Sequence, residues 1–482
     1  FLPMVAFVDR VTRTVRQSPL SALVGALFLA VCVAFAGEKP APPGPMPPPE
    51  PGRQPQPEAS NWERIDLDAE HAIIENEDKS RRNSAIPVET EGDVIVPDVL
   101  KLHRVVSIGT RAFYGCSRIT SVDIPEGVTN IADYAFYNCS SLTNVVFPST
   151  LKSIGAYAFV GCGQLKQVHI EVPRLLIGER AFRNCDGLKD VQFRGDEFIA
   201  NTRAFFGCGG LLDVDFVAKD IRIGESAFSG RYDPSPNDYG YCDHLTNVTI
   251  VASNRLEIGA SAFNNCDALQ KATVVSPRTA TFGNSVFSYC SGLKTIELPE
   301  GLVGLPTNAL AYCSSLQSVS LSSNVTSIAY RAFDTCTSLT NVWLGEGLSV
   351  IEAQAFYGCA LRRLELPQSV SSVGSRAFEM CRGLESVLVQ EGDTNRLEAA
   401  SFALGERAFY RCDALTDVRL PQRATVLPPR VFADCEHLAA INLPSNLTDI
   451  AESAFESCAA LPYVDFPKSL ASIGAMSFNG CA

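Results

Sequence analysis

Sixteen cysteines stand at nearly constant spacing from Cys116 to Cys481, and ten of the fifteen gaps between them are 23 residues long. In fourteen cases a phenylalanine precedes the cysteine by three residues, from Phe113 to Phe478; Leu310 takes that place once, and an insertion separates Phe228 from Cys242. A fixed period of this length means that each unit is one small structural element whose apolar face is covered by its neighbours in a stack. Twenty-three residues are too few for a pair of helices and fit a coil that carries a strand. Dividing the 482 residues into conventional domains of ~150 residues therefore misreads the chain.

The unit can be read position by position in Leu142-x-x-Val145-x-Phe147-Pro148, followed by Leu151-x-x-Ile154-Gly155-x-x-Ala158-Phe159-x-x-Cys162. Val145 and Phe147 are two apart, so on a strand they share one face while Asn144 and Val146 take the other. Pro148 removes a ladder donor and ends the strand. Gly155 is read as a turn residue, and Ala158-Phe159 as part of a short helical turn that closes the coil. One coil buries too little to offset the entropy of ordering its own chain, so its stability has to come from stacking. The repeat cysteines, equivalent and inward, are expected as buried free thiols acting as small hydrophobes. A spacing of ~4.8 Å between coils also falls within disulfide range, so distance alone does not decide.

This Ile-Gly-x-x-Ala-Phe-x-x-Cys core resembles that of the BspA-like leucine-rich repeats, a family of bacterial and protozoan surface proteins. The resemblance covers residues 94–482. It implies a leucine-rich-repeat solenoid, read here as α/β with about 16 coils of ~23 residues, each with one strand plus a short helical turn. It also implies a surface location and adhesion or other protein binding. The family's shared residues are structural and fix no ligand.

Ahead of the repeats lie four segments of different character. Residues 1–16 are basic and expected on the cytoplasmic side. Residues 17–37 contain no Asp, Glu, Lys or Arg and are long enough to cross a bilayer, as a retained anchor or as a cleaved signal ending in Ala34-Phe35-Ala36. Residues 38–60 hold ten prolines and read as a stiff linker. Residues 61–93 read as an acidic tether or an N-terminal cap, with Trp62 and Ile73-Ile74 favouring order. The C-terminal part is thus expected outside the membrane, anchored or secreted.

Charge and motif content narrow the function. Lys and Arg number 40 against 53 Asp and Glu, a net charge of −13, so the chain lacks the basic footprint that grips nucleic acid. The five histidines are scattered and no CxxC pair occurs, so neither a cofactor nor a metal is expected. No nucleophile, base and orienting group recur in a plausible setting, which makes an enzyme the least favoured class. The leading expectation is a non-enzymatic binding module for a protein ligand, such as a host or matrix protein. A self-associating scaffold is the alternative.

In a solenoid the outward strand residues line up into one continuous face. Most of those positions are small or polar here, but Trp343 is not, and an outward Trp is a typical interface anchor. Trp343, Arg363, Glu365 and Leu388 are therefore expected to form a contact patch. A second candidate is the eleven-residue insertion 231–241, in which Tyr232, Tyr239 and Tyr241 offer the large amphipathic contact area used by binding loops. A third protrusion, Gln390 to Ala403, lacks the alternating oxygens of a calcium loop.

Overall fold

The computed structural model describes residues 62–67, 70–75, 84–229, 242–391 and 401–482. Each coil adds one strand to a front ladder and a second, shorter strand to a side ladder. Ser121, Val122 and Asp123 pair in parallel with Asn144, Val145 and Val146, and Asn130 and Ile131 pair in the same sense with Ser153 and Ile154. Parallel pairing follows from the repeat, because every coil returns the chain to the same starting point travelling the same way. Val145 is buried and Phe147 packs edge-on against Phe159 at 6.1 Å, while Val146 is exposed. Proline after the first strand, as at Pro148, keeps the two strands apart. Where the chain reads Val217-Ala218-Lys219 and Val251-Ala252-Ser253 instead, they fuse into the long strands Asp213–Ile223 and Asn247–Ile258.

No helix occurs among the described residues, so the expected α/β class with a helical turn in each coil is corrected to an all-β solenoid of about sixteen coils with two strands apiece. The cause is the backbone of the corner between Gly155 and Cys162. Tyr157 and Gly161 both sit in the left-handed region, at φ of 59° and 73°, and their equivalents in the preceding coil, Tyr134 and Asn138, do the same at 58° and 57°. Left-handed residues at every fourth position prevent a helix. They also turn alternate amides along the stack: Tyr134, Phe136 and Asn138 donate to the carbonyls of Ala156, Ala158 and Val160 in the next coil, whereas Ala135, Tyr137 and Cys139 donate three residues back within their own. The corner is thus a third ladder, and these buried backbone groups are paired.

Gly155 is likewise read differently. Its φ is not positive, and its role is close approach: a side-chain carbon there would lie 2.5 Å from the Asp133 amide nitrogen in the preceding coil. Ala132, Asn201, Pro306 and Glu352 occupy the equivalent position elsewhere, so glycine is one solution among several.

Inside the corner the phenylalanines form two ladders of near-parallel rings. One runs from Phe113 to Phe287 and the other from Phe333 to Phe478, with centroids 4.6–5.6 Å apart, within the range of offset stacking. Trp62 closes the first ladder edge-on against Phe113 at 5.8 Å. Beside the rings, each cysteine thiol from Cys139 onward donates to the backbone carbonyl at the phenylalanine position of the previous coil, as Cys162 does to Phe136 at 3.2 Å. The cysteine is therefore a buried donor as well as a small apolar filler.

Leu310 separates the two ladders without changing the repeat. Cys313 still donates to Phe287, and Cys336 to Leu310 itself, both at 3.2 Å. Leu310 stands between Phe287 and Phe333 in the stack, so Leu310→Phe is expected to raise stability by about 1 kcal/mol by joining the ladders. Urea unfolding checks this, and a lowered midpoint means that the coil has repacked around leucine.

The membrane-directed segment 17–37 and the proline-rich linker 38–60 lie outside the described residues. Among the described residues no helix is long and apolar enough to cross a membrane.

Candidate binding surfaces

Three faces of the solenoid bear on function, and the front ladder is the first. Its strands put one side chain in and the next one out, so Val342, Leu364 and Val387 face the core while Trp343, Glu365 and Leu388 stand at the same outward position of three successive coils. The ladder register pairs Trp343 with Ser320, Glu365 with Leu388, and Leu388 with Arg419. Arg363, on the same face, pairs with Ser386. Trp343 is 58% exposed and Leu388 38%, and Arg363 and Glu365 are also exposed. The four residues singled out from the sequence therefore share one face.

The same face is different in the earlier coils. His169 contacts Asp190, and Arg194 forms an ion pair with Asp215, each bridging neighbouring strands. Asp190 and Asp213 stand directly opposite each other, and Asn247 Nδ2 donates to Asp213 Oδ1 at 2.8 Å. This stretch is polar and self-satisfied, with no exposed aromatic. Tyr232, Tyr239 and Tyr241, and most of the protrusion 390–403, lie outside the described residues.

The interior is chemically quiet. The repeat cysteines are free, fifteen of them buried and Cys481 half-buried. Burial pushes the Cys116 thiol up to about 11 and that of Cys381 up to about 12. Cys185, Cys242 and Cys313 shift the same way, chiefly through burial. A nucleophilic cysteine needs the opposite shift, so these thiols fill space and donate hydrogen bonds. Among the described residues no group of His, Cys, Asp and Glu is arranged to hold a metal ion.

The turn corner is the face that reading of the sequence passed over. Nine of the chain's thirteen tyrosines lie on it, including Tyr114, Tyr134, Tyr137 and Tyr157. The rings of Tyr114 and Tyr137 stack at 5.0 Å, as do those of Tyr134 and Tyr157. The Arg111 guanidinium lies 5.6 Å from the centre of the Tyr134 ring, and Arg180 lies 5.7 Å from that of Tyr157 while donating to its hydroxyl at 2.7 Å. The signal was present in Tyr or Arg two residues before the repeat phenylalanine of the first five coils, and in Tyr one residue after it at Tyr114, Tyr137, Tyr357 and Tyr410. It is legible only once those positions are known to line up outside.

Comparison with known proteins follows the same architecture. The family model for the BspA type leucine rich repeat region matches in six copies, over residues 106–233, 236–326, 304–404 and 397–482. A solved leucine-rich repeat protein from Bacteroides ovatus is 23% identical, covering 87% of this chain and 91% of its own, with a TM-score of 0.39. A leucine rich cell surface protein from Faecalibacterium prausnitzii is also 23% identical, covering 71% and 96%, with a TM-score of 0.32. The pneumococcal vaccine antigen PcpA is 16% identical over 86% of this chain and 96% of its own, with a TM-score of 0.34. No curated protein matches.

Proposed function

Because the chain belongs to the BspA-type leucine-rich repeat family, we propose that it is a non-catalytic binding module, displayed at the cell surface, whose protein ligand docks on the outward strand face around Trp343. The observation that carries this reading is the exposure of Trp343 in line with Leu388, on a face made mostly of small and polar side chains. An exposed tryptophan on rigid strands gives large contact area at little cost in conformational entropy, and Arg363 and Glu365 supply polar contacts around it. In this reading residues 17–37 anchor the chain in the membrane or direct its export, and residues 38–60 hold the solenoid away from the bilayer. The Tyr-rich insertion 231–241 serves as an accessory contact.

The test starts from a pull-down with the full chain against host matrix proteins and envelope extracts. For the partner recovered, Trp343→Ala is expected to weaken binding by about 30-fold, the loss of an interface anchor of about 2 kcal/mol. Unchanged affinity in a folded variant rules out this face. The competing reading, a self-assembling scaffold, requires light scattering to rise with concentration. A stable monomer with a stoichiometric partner excludes it.

A further inference from the structure

The turn corner of the first five coils carries a row of large side chains that the fold itself does not demand. At the left-handed position two residues before the repeat phenylalanine stand Arg111, Tyr134, Tyr157, Arg180 and Arg203, with φ between 52° and 60°. In the next three coils the same position, at the same φ, is Ser226, Ser261 and Ser285. The backbone is identical in both halves, so serine satisfies it. Left-handed conformation is costly for bulky side chains. Arginine returns at this position in Arg331, Arg376, Arg407 and Arg430, but only the first five coils carry Arg or Tyr there in an unbroken run of five, each side chain half-buried.

The chemistry of the row is cationic and aromatic. It holds three arginines and two tyrosines, widened by Tyr137 beside Tyr134, with Arg180 paired to Glu179 at 2.6 Å, in a chain whose net charge is −13. Tyr and Arg are the side chains that dominate binding surfaces. The row is one or two side chains wide and follows the stacking axis, which suits a linear ligand better than a globular one. Its pitch discriminates further. The tyrosine rings repeat at 5.0 Å, whereas same-side residues of an extended peptide repeat at about 6.7 Å and drift out of register within three coils. A pyranose ring is close to one coil spacing in length, so a glycan stays in step. We infer that this turn edge binds an anionic polysaccharide, bearing uronate or sulfate groups, laid along the solenoid axis with about one sugar on each coil. The surface is separate from the Trp343 face.

The experiment measures binding of the full chain to size-defined oligogalacturonates and to sulfated oligosaccharides of matched length, with poly-glutamate of equal charge as the peptide arm. Affinity is expected to rise with glycan length up to about five sugars, to level off, and to fall steeply with added salt as arginine contacts are screened. Tyr134→Ser with Arg180→Ser, substitutions this chain already carries at the same position in later coils, is expected to weaken glycan binding by about tenfold or more. Should that pair lower stability, Arg111→Gln with Arg203→Gln provides the same reading with every tyrosine ring of the row retained, at the loss of the Arg111 contact with the Tyr134 ring. The two glycan arms separate carboxylate from sulfate recognition. Equal or tighter binding of poly-glutamate, no binding of either glycan, or unchanged affinity in both variants overturns the proposal.

Discussion

Raising the pH from about 8 to about 10 is expected to destabilise the solenoid steeply. Eleven buried repeat thiols, from Cys116 to Cys458, are held above their ordinary value of 9.0, for most of them chiefly by burial. A raised pKa on an acid means that the folded chain keeps protons the unfolded chain gives up. The stabilisation is complete below pH 9 and is lost as the pH climbs towards the folded values. A thiol held as high as that of Cys116 or Cys381 lowers stability by about 1 kcal/mol for each pH unit above about 9, and the losses of the raised thiols add along the stack. Tyr134, Tyr312 and Tyr410, also raised, act in the same direction at higher pH. Circular dichroism against pH under reducing conditions, paired with urea midpoints at each pH, reads the effect. A flat midpoint between pH 8 and 9.5 contradicts it.

Phe182→Ala is expected to cost about 3–5 kcal/mol, the range for emptying a buried phenylalanine site. Phe182 is fully buried and its ring lies 4.9 Å from that of Phe159 and 5.1 Å from that of Phe205, so both neighbours lose a stacking partner. Because each coil touches only its neighbours, the loss should stay local. Amide exchange is expected to accelerate in the coils around Phe182 and to fade along the stack, while coils beyond Leu310 keep their protection. Uniform acceleration over the whole repeat region, or a cost below 1 kcal/mol, argues against a stack held by nearest-neighbour contacts.

The period was legible because core positions repeat in chemistry: Val145, Ile154, Phe159 and Cys162 all become interior side chains. The corner was misread for a physical reason. Phe-x-x-Cys has the spacing of a helical turn, and its i to i−3 hydrogen bonds are present. Yet the conformation that breaks the helix sits on residues such as Tyr157 and Arg180, whose own preferences oppose it. Stacking with the next coil imposes it. Gly155 drew attention for its freedom and turned out to matter for its size. Of the candidate surfaces, Trp343 and Leu388 were legible from strand alternation alone. The Tyr and Arg row was not, since Arg111, Tyr134 and Arg180 are 23 or more residues apart and meet only through a corner that points them outward.

The most direct test of an interior lined by the recurring side chains is quantitative labelling of the native, reduced protein with a thiol reagent at neutral pH, read by mass spectrometry at each cysteine. The fifteen buried repeat cysteines from Cys116 to Cys458 are expected to stay unmodified until denaturant is added, and the half-buried Cys481 to react first. Rapid modification of the repeat thiols in the folded chain would contradict the account.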